Sequence, residues 1–168
     1  MQSASSPFPF FRASTDGVEF ANYWKAGSWV TLNADFSLSH SRFRDEDPAG
    51  SHIPGSVRSV VAAGVTVRDP DAERGFIGSV RLRYFGPRPL EESNTHRSGE
   101  TLLPNAQVGW RFNRTRSVGV DLLNLLDRAD SDVDSFYESA MSAGSALEQR
   151  HFHPVEPISA RVTLSARF

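Results

Sequence analysis

The segment that decides the fold class is residues 158–168, ISARVTLSARF. Its even-numbered positions, from Ile158 to Phe168, are apolar, and its odd-numbered positions, from Ser159 to Arg167, are polar. Successive side chains of a β-strand point to opposite faces of the sheet, whereas a helix repeats its apolar residues about every 3.6 positions. The segment is therefore predicted to be a β-strand with one apolar and one polar face.

The same alternation recurs along the chain. Residues 30–38 show it clearly, with apolar side chains at the even positions from Val30 to Leu38. The other predicted strands are 17–25, 57–67, 76–84, 105–112 and 118–122. The sequence therefore predicts an all-β protein with about seven strands, most of them longer than the usual strand of about five to six residues.

The predicted connections alternate in length. Short turns fall at 26–27, 69–74 and 114–116, and long segments rich in Pro, Gly, Ser and charge fall at 44–55, 86–103 and 127–156. A tilted strand needs about 9 to 11 residues to cross a bilayer, and outer-membrane barrels have short turns at one end and long loops at the other. The pattern predicts an antiparallel transmembrane β-barrel segment.

Aromatic residues near the strand ends favour the same interpretation. Those expected at the short-turn end are Trp24, Phe76, Trp110, Phe112 and Phe168, and those at the long-loop end are Phe43, Tyr84 and Phe85. Aromatic belts mark both membrane interfaces of a barrel. A soluble β-sandwich binding module, with these rings packed in its core, is the alternative that alternation alone leaves open.

Composition excludes several classes of protein. The chain has 168 residues, a formal net charge of −2 and no cysteine. It offers no overall basic charge for nucleic acid, no disulfide scaffold and no thiol chemistry, and no apolar run reaches the ~18 residues of a transmembrane helix. Residues 1–16 contain no secretory signal and are predicted to be irregular, leaving 17–168 as the barrel unit.

Several motifs, in their order, resemble the C-terminal end of TonB-dependent outer-membrane receptors. They are GVEF at 17–20, RYFGPRPL at 83–90, DLLNLLD at 121–127, DVDSFYES at 132–139, HFHPVEP at 151–157, and the terminal strand ending in Phe168. The resemblance implies a 22-stranded barrel closed by an N-terminal plug, with ligand uptake powered by the TonB system. Family members often carry a basic residue where this sequence has Ile158.

On this resemblance the chain is expected to be a truncated or partial receptor in the bacterial outer membrane, forming about the last third of the barrel. Its expected partners are membrane lipid, the plug and earlier strands, the TonB system through that plug, and the barrel-assembly machinery, which would read Phe168. The alternative is a small complete barrel with a structural or adhesive role. It would need an eighth strand from residues 1–16, where Pro7 and Pro9 are unfavourable.

Charged residues at polar positions of the predicted strands are the candidates for contact with a plug or a solute. They are Glu19, Asp35, Arg58, Arg81, Arg83, Arg111, Asp121 and Arg161, with Arg167 at the end of the last strand. A hydrated wall of paired charges without a specific ligand fits the same residues.

Neither catalysis nor a cofactor is predicted. His151 and His153, with Glu156 nearby, provide too few ligands for a metal site. The run Asp130-x-Asp132-x-Asp134 begins like a calcium loop, but Ser135 and Met141 replace the glycine and glutamate that an EF-hand requires. The sequence contains no G-x-S-x-G nucleophile motif.

Overall fold

A computed structural model describes residues 12–45, 49–71, 73–140 and 146–167. The predicted assembly signal, Phe168, lies outside the described residues, as do residues 1–11 of the predicted N-terminal segment. In the described part of the chain, no helix has the length and apolar character needed to cross a membrane.

The described residues form β-strands connected by turns and loops. The strands are β1 (Ala13–Ala26), β2 (Val30–Phe43), β3 (Ser59–Arg68), β4 (Gly75–Phe85), β5 (Thr101–Arg111), β6 (Arg116–Leu123), β7 (Ser131–Ala140), β8 (Ala146–Pro154) and β9 (Ser159–Ala166). Seven of them form one antiparallel sheet in the order β1-β2-β3-β4-β5-β6-β9. The predicted all-β class and the seven-stranded sheet are confirmed.

Strands β7 and β8 form a separate two-stranded hairpin, inserted between β6 and β9. The prediction of a long loop over 127–156 is therefore wrong in part. Polar side chains occupy both alternating sets of positions in β7, as with Asp132, Ser135 and Glu138, so no apolar face identifies the strand. Pairing with β8 gives its backbone hydrogen-bond partners.

The register of the sheet places apolar residues opposite one another on every strand. One row comprises Trp24, Leu32, Val65, Val80, Ala106, Leu122 and Ala160. A second row comprises Ala26, Val30, Val67, Gly78, Val108, Val120 and Val162. Because side chains alternate along a strand, these rows share one face, and the polar positions share the other.

The apolar face is exposed. Val18 is 68% exposed, Val162 64% and Leu164 78%. The buried hydrophobic residues of the described chain, Leu90 and Leu103, lie instead among the loops and at the loop end of the sheet. No second sheet covers the apolar rows within the described strands, whose contacts are mainly between neighbours in each sheet. The burial expected for a sandwich core is therefore not seen on this face.

Several strands extend beyond the predicted limits. β1 starts at Ala13 rather than Gly17, and β2 continues to Phe43. Most of the added residues are polar, and two of them, Thr15 and Ser41, bond to each other through their hydroxyls at 2.9 Å. The extensions lack regularly spaced apolar residues, so the alternation of apolar and polar positions does not predict them.

Candidate functional site

The polar face of the sheet carries most of the predicted site residues. Glu19, Asp35, Arg81, Arg83, Arg111, Asp121 and Arg161 all fall at its register positions. Lys25 and Arg68 share this face, so its basic residues outnumber its acidic ones, although the whole chain is slightly acidic. The face is therefore cationic and rich in hydrogen-bond donors.

Asp121 is the centre of a hydrogen-bonded group on this face. Gln107 on β5 donates its Nε2–H to Asp121 Oδ1 at 2.8 Å, and Arg161 on β9 donates its Nε–H to Asp121 Oδ2 at 3.3 Å. Asp121 is opposite both residues in the register, which explains why three adjacent strands contribute to one group. The predicted residues Asp121 and Arg161 are thus brought together as an ion pair.

Arg81 and Arg83 lie two positions apart on β4, with exposed side chains. Their neighbours on β3, Gly64 and Ala62, are small, and the side chains of Asn33 and Arg81 lie close over Gly64. Asp35 is opposite Ala62 on the far side of β3 and so lies two strand spacings, about 10 Å, from Arg83 across the sheet. Asp35 on β2 and Arg83 on β4 are therefore not direct neighbours in the sheet.

An open cavity of about 690 Å³ occupies the turn end of the polar face. The predicted residues Arg111 and Asp121 line it, together with Gln107, Arg68 and Thr163. Arg81, Arg83 and Asp35 do not line it. The volume falls in the range of small-molecule sites, and its mixed lining suits a polar surface or solute.

Arg58 occupies a different position from the other candidates. It lies just before β3, and its Nη2 is 3.4 Å from Nδ1 of His40, a residue at an apolar-face position of β2. Its backbone oxygen accepts a hydrogen bond from the amide of Ser39. The structure therefore groups Arg58 with the loop end of β2 rather than with Arg81 and Arg83.

The loops at the other end of the sheet pack against one another. The amide of His52 donates to the carbonyl of Glu92, and the amide of Gly55 donates to that of Pro89. Gly50 has a φ of 126°, and a Cβ there would overlap the backbone of Glu92. Only glycine fits this approach, so segments 49–58 and 86–100 form one packed layer.

Asn124 joins the two ends of the long connection between β6 and β9. Its Nδ2 donates to the carbonyls of Arg128 at 2.9 Å and Glu156 at 3.0 Å, and its side chain is almost fully buried. Asp130 accepts a hydrogen bond from the amide of Leu102, which fixes the connection to β5. Sequence reasoning missed Asn124, although its place in the DLLNLLD motif was a usable signal.

The turn and loop carboxylates are held by local donors. The backbone amides of Glu73 and Arg74 lower the pKa of Asp71 below its ordinary value. The Ser93 hydroxyl, followed by His96, lowers the pKa of Glu91. These contacts stabilise a turn and a loop, at opposite ends of the sheet.

The candidate metal residues remain dispersed. His151 and His153 lie opposite Ser135 and Val133 in the β7–β8 hairpin. Within the described residues, no group of three or more His, Asp or Glu side chains is arranged to hold a metal ion. Met141 is not described, and the side chains of Asp132 and Asp134 lie outside the described part.

Comparison with known proteins identifies the fold. No family model and no curated protein matches the sequence. A solved structure with a similar fold is that of the ferric yersiniabactin uptake receptor FyuA from Yersinia pestis, with a TM-score of 0.71 and 19% sequence identity. The match covers 94% of this chain and 24% of the receptor chain.

The chain thus spans about a quarter of that receptor's length. The predicted resemblance to a TonB-dependent receptor is confirmed at the level of the fold. The similar structure is that of an uptake receptor.

Proposed function

We propose that this chain forms wall strands and external loops of an outer-membrane uptake receptor. In this account the exposed apolar face contacts lipid, the polar face lines the barrel interior, and the packed loops lie outside the cell. The role is in transport and involves no catalysis.

The observation that carries the proposal is the continuous exposed apolar face. Its rows cross the strands of the sheet without a covering layer in the described chain, and Phe76 and Trp110 form a register pair at the turn end. An apolar surface of this extent is costly in water and favourable in a bilayer. Aromatic side chains at its edge are typical of a membrane interface.

The polar face supports the interior assignment. Its arginines and the Gln107–Asp121–Arg161 group need water or polar partners, which a barrel interior supplies. We propose that the charged residues of β4, β5, β6 and β9 contact a plug or a passing solute. These are Arg81, Arg83, Arg111, Asp121 and Arg161. Glu19 and Asp35 lie on the part of the wall that β1 and β2 form. Energy for uptake would come from the TonB system through the plug.

Residues 1–168 contain no cysteine, which permits a direct test by single-cysteine labelling in a receptor background whose other segments carry no cysteine. Val162→Cys and Thr163→Cys are adjacent on β9 but lie on opposite faces of the sheet. In the full-length receptor in outer-membrane preparations, Val162→Cys should react with a lipid-soluble maleimide and resist a charged, water-soluble one, because it faces hydrocarbon.

Thr163→Cys should react with the water-soluble reagent. The reaction should be stronger if the plug does not cover this position. Trp29→Cys, in the β1–β2 turn, is the control for general accessibility. Equal water-soluble labelling of Val162→Cys and Thr163→Cys would contradict the proposal.

A further inference from the structure

A small cleft at the loop end of β2 and β3 has an unusual set of lining residues. It holds about 20 Å³, enough for one water molecule or one oxygen atom. Its ionisable lining residues are all basic: His40, His52, Arg58 and Arg97. No carboxylate lines it, so the cleft is suited to an anion and not to a metal cation.

The two arginines come from different loops and are not neutralised. Among the ion pairs within the described residues, none joins Arg58 or Arg97 to a carboxylate. Arg97 is held in place because its Nη1 donates to Asn94 Oδ1 at 2.6 Å and its Nη2 donates to the Pro87 carbonyl at 2.9 Å. A guanidinium has five N–H donors, so donors remain for a ligand.

His40 adds a further donor. Arg58 can only donate, so Nδ1 of His40 is the acceptor in the 3.4 Å contact, which leaves Nε2 as the donor nitrogen of the ring. Asp16, the register neighbour of His40 on β1, does not line the cleft. Ser39 and Ser56 direct their hydroxyl protons to the carbonyls of Val57 and Ile53, and His52 Nδ1 is 3.3 Å from the carbonyl of Glu92. The donors that line the cleft are therefore the two arginines, His40 and the Ser41 hydroxyl.

We propose that this cleft binds the oxyanion of a phosphate monoester, with one oxygen in the cleft and contacts to Arg58, Arg97 and His40. Arginine pairs recognise phosphate by charge-assisted hydrogen bonds of defined geometry. A phosphate monoester can come from a free solute or from a lipid headgroup. His40 lies two residues beyond Leu38, the last apolar residue of that face on β2, so a headgroup source is within reach of the site.

Two binding experiments on the full-length receptor distinguish these sources. The first is equilibrium dialysis of the detergent-purified receptor with radiolabelled inorganic phosphate. The second measures co-sedimentation of the detergent-solubilised receptor with phosphatidylcholine vesicles, with and without phosphatidic acid. The phosphate assay does not depend on transport, so its failure is distinct from failure of the receptor assignment.

Arg58→Gln and Arg97→Gln should each weaken binding about ten-fold, the loss expected for one charge-assisted hydrogen bond. Arg116→Gln, an exposed arginine at the turn end, should leave binding unchanged. Folding of each variant is checked by its heat-modifiable mobility on gels. His40→Ala, which removes the ring donor, is a second test if an arginine variant misfolds.

Saturable phosphate binding that depends on these residues supports a site open to free solutes. Dependence on phosphatidic acid alone supports a headgroup site. No saturable binding in either assay, or equal losses in all variants including Arg116→Gln, overturns the proposal.

Discussion

Asn124 is the residue that best shows how one side chain determines the geometry of a loop. It has a positive φ of 50°, a conformation that asparagine tolerates better than most residues. Besides its two Nδ2 donations, its Oδ1 accepts the amide of Arg128 at 3.2 Å. Both ends of the β6–β9 connection therefore depend on this amide group.

Asn124→Ala should lower the free energy of unfolding by about 2 kcal/mol, because buried carbonyls lose their donors. Asn124→Gly removes the same hydrogen bonds without the penalty at positive φ, so it should be somewhat less destabilising. Urea unfolding of the full-length receptor in lipid vesicles measures both variants. A wild-type free energy of unfolding for Asn124→Gly would show that the side-chain hydrogen bonds contribute nothing.

The carboxyl group of Asp71 makes the stability of the β3–β4 turn depend on pH. Its Oδ1 accepts the amides of Glu73 at 2.8 Å and Arg74 at 3.4 Å, and these bonds favour the charged form, so the pKa falls below 3.8. A lowered folded-state pKa stabilises the turn above the ordinary pKa, and this stabilisation is lost as pH falls through the folded value.

The amide chemical shift of Glu73, followed by NMR as acid is added, should therefore have a midpoint below 3.8. Asp71→Asn keeps an oxygen acceptor but cannot titrate, and it should abolish the transition. A midpoint at or above 3.8 in the wild-type protein would contradict the effect assigned to these amides.

At the scale of elements, the β7–β8 hairpin is the part most separable from the sheet. Within the described residues its strands pair with each other. The fixed points of the connection are Asn124, Asp127, Asp130 and the Ser131 carbonyl, which accepts the Thr101 hydroxyl, and all lie before residue 132. Replacing residues 133–152 by a short Gly-Ser linker should therefore leave the amount of assembled receptor unchanged within error.

The matched comparison is replacement of residues 89–97, which contact segment 49–58 through His52 and Gly55. This change removes the packed loop layer and should reduce assembly and thermal stability. Heat-modifiable mobility and yield in outer-membrane fractions measure both changes. Equal losses for the two replacements would mean that the hairpin supports the sheet.

The seven strands of the sheet were predictable because each has one apolar and one polar face. Residues 159–166 of the predicted segment 158–168 and all of residues 30–38 lie in strands, and Val162 and Leu164 lie on the exposed apolar face. The hairpin and the loop layer were not predictable, because their order comes from backbone pairing and from single contacts such as Gly50 with Glu92. Such contacts do not produce a periodic pattern of residues in the sequence.

The positions of the predicted site residues in the sheet were predictable only in part. Register follows from alternation and turn length, which placed Asp121 and Arg161 on one face. Periodicity could not show that Gln107 joins them, that Arg58 turns toward His40, or that Asn124 is buried. These contacts depend on the three-dimensional course of the loops and side chains.

At the scale of the whole molecule, the two edge strands run in the same direction. β1 and β9 both end at the turn end, where Ala26 is opposite Val30 and Ala166 is opposite Arg116. All pairs within the sheet are antiparallel, so each edge needs a neighbour that runs toward the loops. A second copy in the same membrane orientation offers only parallel edges.

The isolated segment 1–168, refolded in phosphatidylcholine vesicles, should therefore give no single monomer or dimer with heat-modifiable mobility. Each unpaired backbone group at an edge costs several kcal/mol in hydrocarbon. The full-length receptor, treated in the same way, is the positive control. A monodisperse folded species of the isolated segment would favour a small complete barrel.

The central claim is that the apolar face of the whole sheet contacts lipid, and a charge placed on each face tests it most directly. Val162→Arg and Thr163→Arg put the same side chain at adjacent positions of β9 that lie on opposite faces of the sheet. In the full-length receptor, Val162→Arg should destabilise the assembled barrel by about 2 to 4 kcal/mol, and Thr163→Arg should have a much smaller effect. The free energy of unfolding in lipid vesicles is the measurement. Equal costs at the two positions, or a greater cost for Thr163→Arg, would contradict the account.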